Sequence, residues 1–388
     1  MHILIAPNAF KNSLDAVKVA KAIEEGFQQS RLSCTTHCFP VGDGGDGTGE
    51  LIVQHCNGKV TNAEVHDPLH RTMIASFGLI EKDSTAVIEM ADASGLRLLQ
   101  THELNPLRAS SYGTGELMRH ALDKGISRII LCIGGSATVD GATGILSALG
   151  FCFLDKDGKE LQDMPESLAK LDRIESSGVD KRMMHTELIV LCDVANPLLG
   201  EEGAAAIFGP QKGASPDKVK KLETSLSVLR DVVFKQTGRD MAIIKHGGAA
   251  GGTAAGLWAV LNARLVNGID HFLSLTGFDQ ALEKADLVVT AEGSIDIQTL
   301  QGKGPFGVAQ RAKQKGIPVI GLAGKIPGTI PAELKKYFDE LICINKQPVS
   351  LDAAIKNTRL NLISTARELG DKLAENNRFF TGAQRCDE

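Results

Sequence analysis

Aromatic residues are scarce in this chain: they make up 4% of its 388 residues, with one tryptophan and two tyrosines. Proteins that bind single-stranded nucleic acid stack bases on such side chains, so this class is disfavoured. Acidic residues outnumber basic ones, 47 to 42, and the net charge of −5 leaves no basic excess for nucleic acid or an anionic membrane. We therefore expect neither nucleic acid nor a membrane among the partners.

Long apolar runs and targeting patterns are also missing. No stretch approaches the ~20 apolar residues that cross a bilayer. The first residues lack the basic region, apolar stretch and cleavage site of a signal peptide. The eight cysteines are scattered and form no Cys-x-x-Cys pair, which favours reduced thiols over a metal or disulfide site. These absences predict a cytoplasmic protein.

Several catalytic motifs are absent as well. The chain has no Gly-x-x-x-x-Gly-Lys-Ser/Thr phosphate loop, which excludes an ordinary P-loop enzyme. It also lacks His-Glu-x-x-His and Gly-x-Ser-x-Gly. The string Gly42-x-Gly44-x-x-Gly47 literally matches the dinucleotide fingerprint, but its variable positions Asp43 and Asp46 would face a pyrophosphate. We reject that interpretation.

Glycine and acidic residues are most concentrated at 42–50, where five glycines, two aspartates, a threonine and a glutamate follow a strand-like run. Glycine lets a ligand approach the backbone N–H groups. Carboxylates would repel a bare phosphate, but they suit a divalent cation between protein and phosphate, because Mg²⁺ takes hard oxygen ligands. We expect Asp43 and Asp46 to bind Mg²⁺, with Gly44 and Gly45 beside the phosphates.

A second group of candidates lies near the N-terminus and in the middle of the chain. Apolar residues repeat at helical spacing from residue 14 to residue 27, and Ser13 is a predicted N-cap for that helix. Lys11 is either a phosphate-pairing cation or a solvated loop lysine. Arg71 lies in a Pro-containing turn. It either binds a carboxylate or phosphate with both arms of its guanidinium group or is an ordinary surface arginine.

Further candidates follow predicted strands. Gly134, Gly135 and Ser136 lie between a strand at 129–133 and a helix predicted over 138–149, which is typical of an anion cradle. The other candidates at strand ends and in glycine loops are Asp193, Lys212, Glu292, Gly293, Asp296 and Lys303. Small residues at 247–253 indicate close helix packing or ligand contact.

The length predicts two domains, since one core rarely serves 388 residues. Strands and helices alternate at both ends of the chain, while 58–107 has the short turns of antiparallel strands. Acids and lysines recur where strands end, and ligands of parallel α/β sheets bind there. Metal-binding acids, cations and a base are what phosphoryl transfer needs. The residues thus indicate a kinase for a sugar-like molecule or a hydroxy acid.

Seven of these loops, in the same order, resemble the type-1 glycerate kinases. The matching stretches are Ile5-Ala6-Pro7-Asn8-Ala9-Phe10-Lys11-Asn12-Ser13-Leu14, Gly42-Asp43-Gly44-Gly45-Asp46-Gly47-Thr48, Ile133-Gly134-Gly135-Ser136-Ala137-Thr138, Cys192-Asp193-Val194-Ala195-Asn196-Pro197-Leu198, Phe208-Gly209-Pro210-Gln211-Lys212-Gly213, Glu292-Gly293-Ser294-Ile295-Asp296-Ile297-Gln298-Thr299 and Gly302-Lys303-Gly304-Pro305. Where this chain has Ser294 the family commonly has an arginine, which leaves Lys303 and Arg71 as the expected charge-pairing residues.

The resemblance implies transfer of the ATP γ-phosphoryl group to D-glycerate with Mg²⁺, most often giving 2-phospho-D-glycerate. In this interpretation Asp193 accepts the proton of the substrate hydroxyl. Lys11, Lys212 and Lys303 neutralise phosphate or the substrate carboxylate, and Glu292 and Asp296 are second candidates for Mg²⁺. A homodimer is one possible assembly.

The resemblance also implies two α/β domains with the active site in the cleft between them. We expect a discontinuous Rossmann- or flavodoxin-like domain with a parallel sheet from residues 1–57 and 265–388, with part of 108–150 as a further option. Residues 58–264 are the expected inserted mixed α/β domain. Two alternatives stay open: a kinase of another small hydroxy acid or polyol, and a non-catalytic sensor of a nucleotide or carboxylate.

Replacement of Asp193 with alanine tests the base. Since a positioned base contributes ~10²-fold or more, we expect Asp193→Ala to lower kcat at least to that extent. A coupled assay for ADP measures it. A variant that keeps more than roughly a tenth of the wild-type kcat would remove Asp193 from this role.

Overall fold

The computed structural model describes residues 1–347 and 349–375. The strands are β1 (His2–Ile5), β2 (Thr35–Cys38), β3 (Lys59–His66), β4 (Thr72–Ile80), β5 (Thr85–Glu89), β6 (Arg128–Cys132), β7 (Cys152–Leu154), β8 (Arg173–Glu175), β9 (Glu187–Cys192), β10 (Arg264–Asn267), β11 (Leu287–Ser294), β12 (Val319–Lys325) and β13 (Glu340–Cys343). The helices are α1 (Ala16–Gln28), α2 (Thr48–His55), α3 (Met90–Ser94), α4 (Tyr112–Leu122), α5 (Thr143–Ala148), α6 (Ala204–Phe208), α7 (Pro216–Thr237), α8 (Thr253–Leu261), α9 (Gly268–Leu275), α10 (Phe278–Leu282), α11 (Gly304–Gln314), α12 (Ala332–Lys335) and α13 (Leu351–Glu375).

The chain divides into two compact units, each with its own apolar core. The first comprises residues 1–43 and the chain from residue 269, and the second comprises 44–268. Both are α/β, which confirms the predicted fold class. Residues 44–57 belong to the second unit because α2 packs on β4, β5 and β6, and all of 108–150 belongs there too.

The first unit has a five-stranded, fully parallel sheet in the order β2-β1-β11-β12-β13. Counted within the unit, this is the flavodoxin-like order 2-1-3-4-5. Its central strands are continuous apolar runs because helices cover both faces of a parallel sheet, and Ile3, Leu4 and Ile5 are fully buried. In such a sheet the strand order reverses at β1 and β11, and ligands bind at the carboxyl ends there.

Helices α1 and α13 pack against each other in the first unit. Helix α1 starts one residue after Asp15, whose Oδ1 accepts a hydrogen bond from the Lys18 N–H at 2.8 Å. The prediction that Ser13 caps this helix was wrong, because the periodic pattern starts two residues before the first helical turn. The Ser13 hydroxyl instead donates to the Ile355 carbonyl at 2.8 Å.

The second unit has a six-stranded mixed sheet in the order β10-β9-β6-β5-β4-β3. Strands β3, β4 and β5 are antiparallel, as predicted for 58–107, and β5, β6, β9 and β10 are parallel. Neither β10 nor the three-residue strands β7 and β8 were predicted, since runs this short carry almost no periodic signal. Helix α5 starts at Thr143, so the prediction of a helix from Thr138 was wrong: residues 134–142 continue as a loop.

Glycines at 247–252 allow two loops to approach this segment closely. A Cβ atom on Gly248 would lie 2.2 Å from the Pro197 carbonyl oxygen in the loop after β9. A Cβ atom on Gly251 would lie 2.1 Å from the Thr138 carbonyl oxygen in the loop after β6. The small residues therefore serve close packing, one of the two roles that the sequence left open.

Two further features concern the chain as a whole. Among the described residues, no helix combines the length and the apolar character needed to cross a bilayer. The seven cysteines in this part of the chain form no disulfide, and Cys386 lies outside the described residues. The sequence predicts a last helix from roughly Leu351 to Asn376; α13 starts at Leu351, and Asn376 lies outside the described residues.

Gly26 tests the packing of α1 on α13. Alanine favours a helix by about 0.5–1 kcal/mol over glycine, but its Cβ at this position would lie 2.5 Å from the Ile363 carbonyl oxygen. We expect Gly26→Ala to lower the free energy of unfolding by about 1–3 kcal/mol in urea titrations. Lys21→Ala, on the exposed face of α1, is the control. A Gly26→Ala variant as stable as the wild type would contradict the packing.

Candidate functional site

The first unit concentrates charged side chains at the carboxyl ends of its parallel strands. Glu292 lies near the end of β11 and is 8% exposed. Burial and, next, the negative charge of Asp43 raise the pKa of Glu292 to about 7, against the opposing charges of Lys303 and Lys11. Its Oε2 atom accepts no hydrogen bond from the described residues. A buried carboxyl oxygen without a donor is a position for a cation or a proton.

Asp43 is oriented by two donors of the same unit. Its Oδ2 atom accepts from the Asn8 side-chain amide at 2.8 Å and from the Gly304 N–H at 3.4 Å. Gly304 is the first residue of α11, where free N–H groups favour a negative charge. Lys303 is the N-cap of that helix, and Pro305 stands in its first turn, where a proline removes no helical hydrogen bond. The carboxylate of Asp43 is thus held at a helix N-terminus.

The carboxyl groups of Asp43 and Glu292 meet the usual ligand requirement of Mg²⁺. Within residues 1–347 and 349–375, no three His, Cys, Asp or Glu side chains gather into a metal cage. Mg²⁺ does not need one, because it is usually held by one or two carboxylates together with phosphate and water. Asp43 and Glu292 supply such a pair. Asp296 fits less well, since its carboxylate caps the short helix at 297–301 and accepts from the Gln298 N–H at 2.8 Å.

Other residues predicted for the site lie at the edges of this cluster. Gly293 adjoins Glu292, and a Cβ atom added there would meet nothing within 4 Å, so the space beside it is open. Lys11 is exposed in the turn between Phe10 and Leu14, five positions before α1 rather than directly at its N-terminus. Ser13, in the same turn, uses its hydroxyl for the contact with α13.

The second aspartate of the glycine-rich stretch, Asp46, lies in the second unit. Its Oδ1 atom is 2.9 Å from a guanidinium nitrogen of Arg97, which also pairs with Asp92. Arg97 was not singled out from the sequence, where nothing links it to a residue 51 positions earlier. Asp46 therefore has a cationic partner within its own unit.

Glu89 is a buried residue that the sequence analysis missed. Its carboxylate accepts hydrogen bonds at the N-terminus of α2, from the N–H groups of Gly47 at 2.9 Å, Gly49 at 2.5 Å and Glu50 at 3.3 Å. Burial raises the pKa of Glu89 to about 7. The anion position of this helix is filled by the protein's own carboxyl group. The signal available in the sequence was an acid directly after the apolar run Ala86-Val87-Ile88.

The loop 134–138 lies directly against the glycine-rich stretch. The Gly134 N–H donates to the Gly44 carbonyl at 3.1 Å, and a Cβ atom on Gly134 would lie 2.4 Å from the Gly45 Cα. Only glycine permits this approach. The Lys212 ammonium, 3% exposed, donates to the Ser136 hydroxyl at 2.8 Å and to the Thr138 carbonyl at 2.7 Å.

A carboxylate also fills the N-terminal end of α5, beside the cradle expected from the sequence. Asp140 is fully buried, and burial raises its pKa. It accepts from the Ser111 N–H at 2.9 Å, from the Ser111 hydroxyl at 2.6 Å and from the Gly144 N–H at 3.3 Å. The sequence predicted a helix over 138–149, which placed this aspartate inside the helix rather than before it.

Two further candidates have their surroundings in the second unit. Asp193 follows β9 and is half-buried, in a loop held by His246, which contacts the Val194 carbonyl, and by a Gly248 N–H bond to Asn196. Arg71 forms ion pairs with Asp67 and Glu103, both at 2.5 Å. The proposed clamp thus already holds two carboxylates of its own unit.

A flavodoxin-ordered sheet with acids and lysines at its carboxyl ends is typical of α/β proteins that bind charged ligands there. The family model described as "Glycerate kinase family" matches residues 3–374. The chain belongs to the glycerate kinase family. As a member it is a phosphotransferase with an alcohol group as acceptor.

Individual relatives agree with this assignment over nearly their whole length. The chain is 41% identical to a glycerate kinase of Halalkalibacterium halodurans, over 95% of this chain and 97% of the relative. It is 39% identical to the glycerate 2-kinase of Escherichia coli, over 96% and 98%. A crystal structure from Salmonella typhimurium LT2, described as a candidate glycerate kinase 2, superimposes with a TM-score of 0.81 at 40% identity, covering 97% of this chain and 98% of that one.

Glu292 should make stability depend on pH. Its pKa is raised in the folded state, so the native protein binds more protons than the unfolded chain between about pH 4.5 and 7. Wild-type stability therefore falls as pH rises through this range. Because glutamine does not titrate, we expect Glu292→Gln to be more stable than the wild type at pH 8 and close to it at pH 5, in urea titrations with EDTA.

The control for this comparison is Glu333→Gln, which changes an exposed carboxylate of the same unit. Its difference from the wild type should be small and equal at both pH values. A Glu292→Gln variant that loses stability more at pH 8 than at pH 5 would contradict the raised pKa.

Proposed function

We propose that the protein transfers the γ-phosphoryl group of ATP to the 2-hydroxyl of D-glycerate and releases 2-phospho-D-glycerate. The observation that carries this proposal is the group of Asp43, Glu292, Lys303 and Lys11 at the carboxyl ends of a flavodoxin-ordered sheet. Phosphoryl transfer consists mainly of positioning and charge stabilisation, and this group supplies both signs of charge. The name of the Escherichia coli relative, glycerate 2-kinase, supports position 2 as the acceptor.

Asp43 and Glu292 would hold Mg²⁺ in this proposal. The bound ion would neutralise charge on the phosphate oxygens of ATP. Asp43 is already oriented by Asn8 and Gly304, so its carboxylate needs little rearrangement. Glu292 must lose its proton to bind a cation, and its pKa of about 7 allows that at neutral pH.

Lys303 and Lys11 are the proposed cations for the transferred phosphoryl group. Both influence the Glu292 carboxyl electrostatically, so both lie within reach of the same region. Lys303 also stands at the N-cap of α11, where N–H groups and the helix dipole favour an anion. Fixed positive groups of this kind typically contribute ~10²–10³-fold to a rate.

Asp193 is the proposed base for the substrate hydroxyl. It is half-buried at the end of β9, and the backbone that follows it is fixed by His246 and Gly248. A carboxylate held on a rigid loop can orient a hydroxyl for attack without moving.

The cytoplasm is the proposed location, because none of the seven described cysteines forms a disulfide.

A coupled ADP assay with a panel of acceptors tests the activity. With ATP and Mg²⁺, we expect ADP production that depends on D-glycerate and is at least tenfold slower with L-glycerate, glycolate or glycerol. Phosphorus NMR should identify 2-phospho-D-glycerate. Asp43→Asn and Glu292→Gln should each lower kcat by ~10²-fold or more, with Glu333→Gln as the matched control.

The outcomes separate the parts of the proposal. No ADP production with any acceptor would refute the kinase. Turnover that yields 3-phosphoglycerate would refute only the position of transfer. Full activity of both carboxylate variants would refute their role with the metal.

A further inference from the structure

Lys212 lies at the end of a short turn, Pro210–Lys212, with its side chain 3% exposed. Its ammonium donates to the Ser136 hydroxyl at 2.8 Å and to the Thr138 carbonyl at 2.7 Å. Both acceptors belong to the loop 134–138. An ammonium this deeply buried reaches a ligand only through its neighbours.

The burial of this charged group costs free energy. Burial lowers the pKa of Lys212 to about 7, and Asp140 is the charged neighbour that opposes the shift. The hydroxyl of Thr138 is also buried and has no hydrogen-bond partner among the described residues. A buried cation and an unsatisfied hydroxyl in one loop each cost free energy. Groups kept at such a cost are typical of functional sites, where stability is traded for activity.

Hydrogen bonds from two sides fix the backbone around Ser136. The Leu96 N–H donates to the Gly135 carbonyl at 2.9 Å, and the Ala137 N–H donates to the Ser94 carbonyl at 2.8 Å. On another side, the Gly134 N–H donates to Gly44. The loop is therefore rigid without help from Lys212, so holding the backbone in place is not the main task of the ammonium.

The direction of the bond from Lys212 decides what Ser136 can do. Because the ammonium occupies a lone pair of the Ser136 oxygen, the hydroxyl proton of Ser136 must point elsewhere. In the described part of the chain it has no acceptor. Ser136 is 5% exposed and adjoins the exposed Gly135, so its proton has a route outward. A hydroxyl that accepts from a cation is also a stronger donor.

We infer that Ser136 donates its hydroxyl proton to an anionic oxygen of a substrate, and that Lys212 is a positioning residue that acts through Ser136 without touching the substrate. The oxygen is a carboxylate oxygen of the hydroxy acid or a phosphoryl oxygen of the nucleotide. The inference rests on the proposed kinase function and assigns the two residues different tasks within it.

Three variants test this assignment: Ser136→Ala, Lys212→Met and the double substitution. A preorganised donor contributes ~10²-fold, so we expect each single variant to lower kcat/KM by roughly 10- to 100-fold. The double variant should be no worse than Lys212→Met, because both residues act as one unit. A rise in KM confined to D-glycerate identifies the carboxylate as the acceptor, and one confined to ATP, or a loss in kcat, identifies phosphoryl oxygens.

Stability provides the readout that separates positioning from a structural role. The folded-state pKa of Lys212 is lowered, so the unfolded chain binds more protons between about pH 7 and 10.5 and wild-type stability rises with pH there. We expect Lys212→Met to unfold at the same temperature as the wild type or higher, with its advantage greatest at pH 6 and smaller at pH 9. Lys220→Met, on an exposed lysine of α7, is the control for both activity and stability.

Each contrary outcome overturns the inference. Lys212→Met with kcat/KM within about twofold of the wild type removes the residue from the reaction. Losses in kcat/KM that add in the double variant would show that Lys212 has only a structural role. Loss of activity together with a lower unfolding temperature would show the same. If the wild type forms no ADP, the proposed function fails first. Calorimetry with D-glycerate and with ATP then decides, since equal affinities for wild type and Ser136→Ala refute the hydrogen bond.

Discussion

A buried carboxyl group next to a carboxylate is the constraint on which the first unit depends. Glu292 is desolvated, and Asp43 places a second negative charge close to it, so Glu292 holds a proton until near pH 7. A bound cation would favour the ionised form of Glu292 at lower pH. The sheet order brings Glu292 and Asp43 together, because β1 and β11 are neighbours and the chain that follows β2 carries Asp43 to the same edge. In the proposed function, this pair of carboxyl groups holds the metal ion and, through it, the phosphates.

In the second unit, buried negative charge is stabilised by hydrogen bonds from the backbone. Two of its buried carboxyl groups, Glu89 and Asp140, accept backbone N–H bonds at the N-terminal ends of α2 and α5. These positions look like phosphate cradles in the sequence, yet the protein fills them itself. The consequence is rigidity: hydrogen bonds within the second unit hold the loops 44–47 and 134–138 in place without a ligand. A site built on such loops has little reorganisation left when the ligand binds.

Much of this could be predicted from local pattern. Apolar runs and helical spacing located most strands and helices, and the rule that ligands bind where parallel strands end selected Asp43, Glu292 and Lys303. Long-range pairing could not be predicted. Glu89 reaches Gly49 across 40 positions, and no local pattern records that contact. Helix ends were also missed where two capping residues competed, as Ser13 and Asp15 do before α1.

The central claim is that the protein binds a metal–nucleotide through a carboxyl group that must first lose a proton. Calorimetric titration of the protein with the Mg²⁺–ADP complex at pH 6.5, in two buffers of different ionisation enthalpy, measures the release of that proton directly. The account predicts release of a substantial fraction of a proton by the wild type, with little release and at least tenfold weaker binding for Glu292→Gln. Equal affinity of the two proteins, with no difference in proton release, would contradict it.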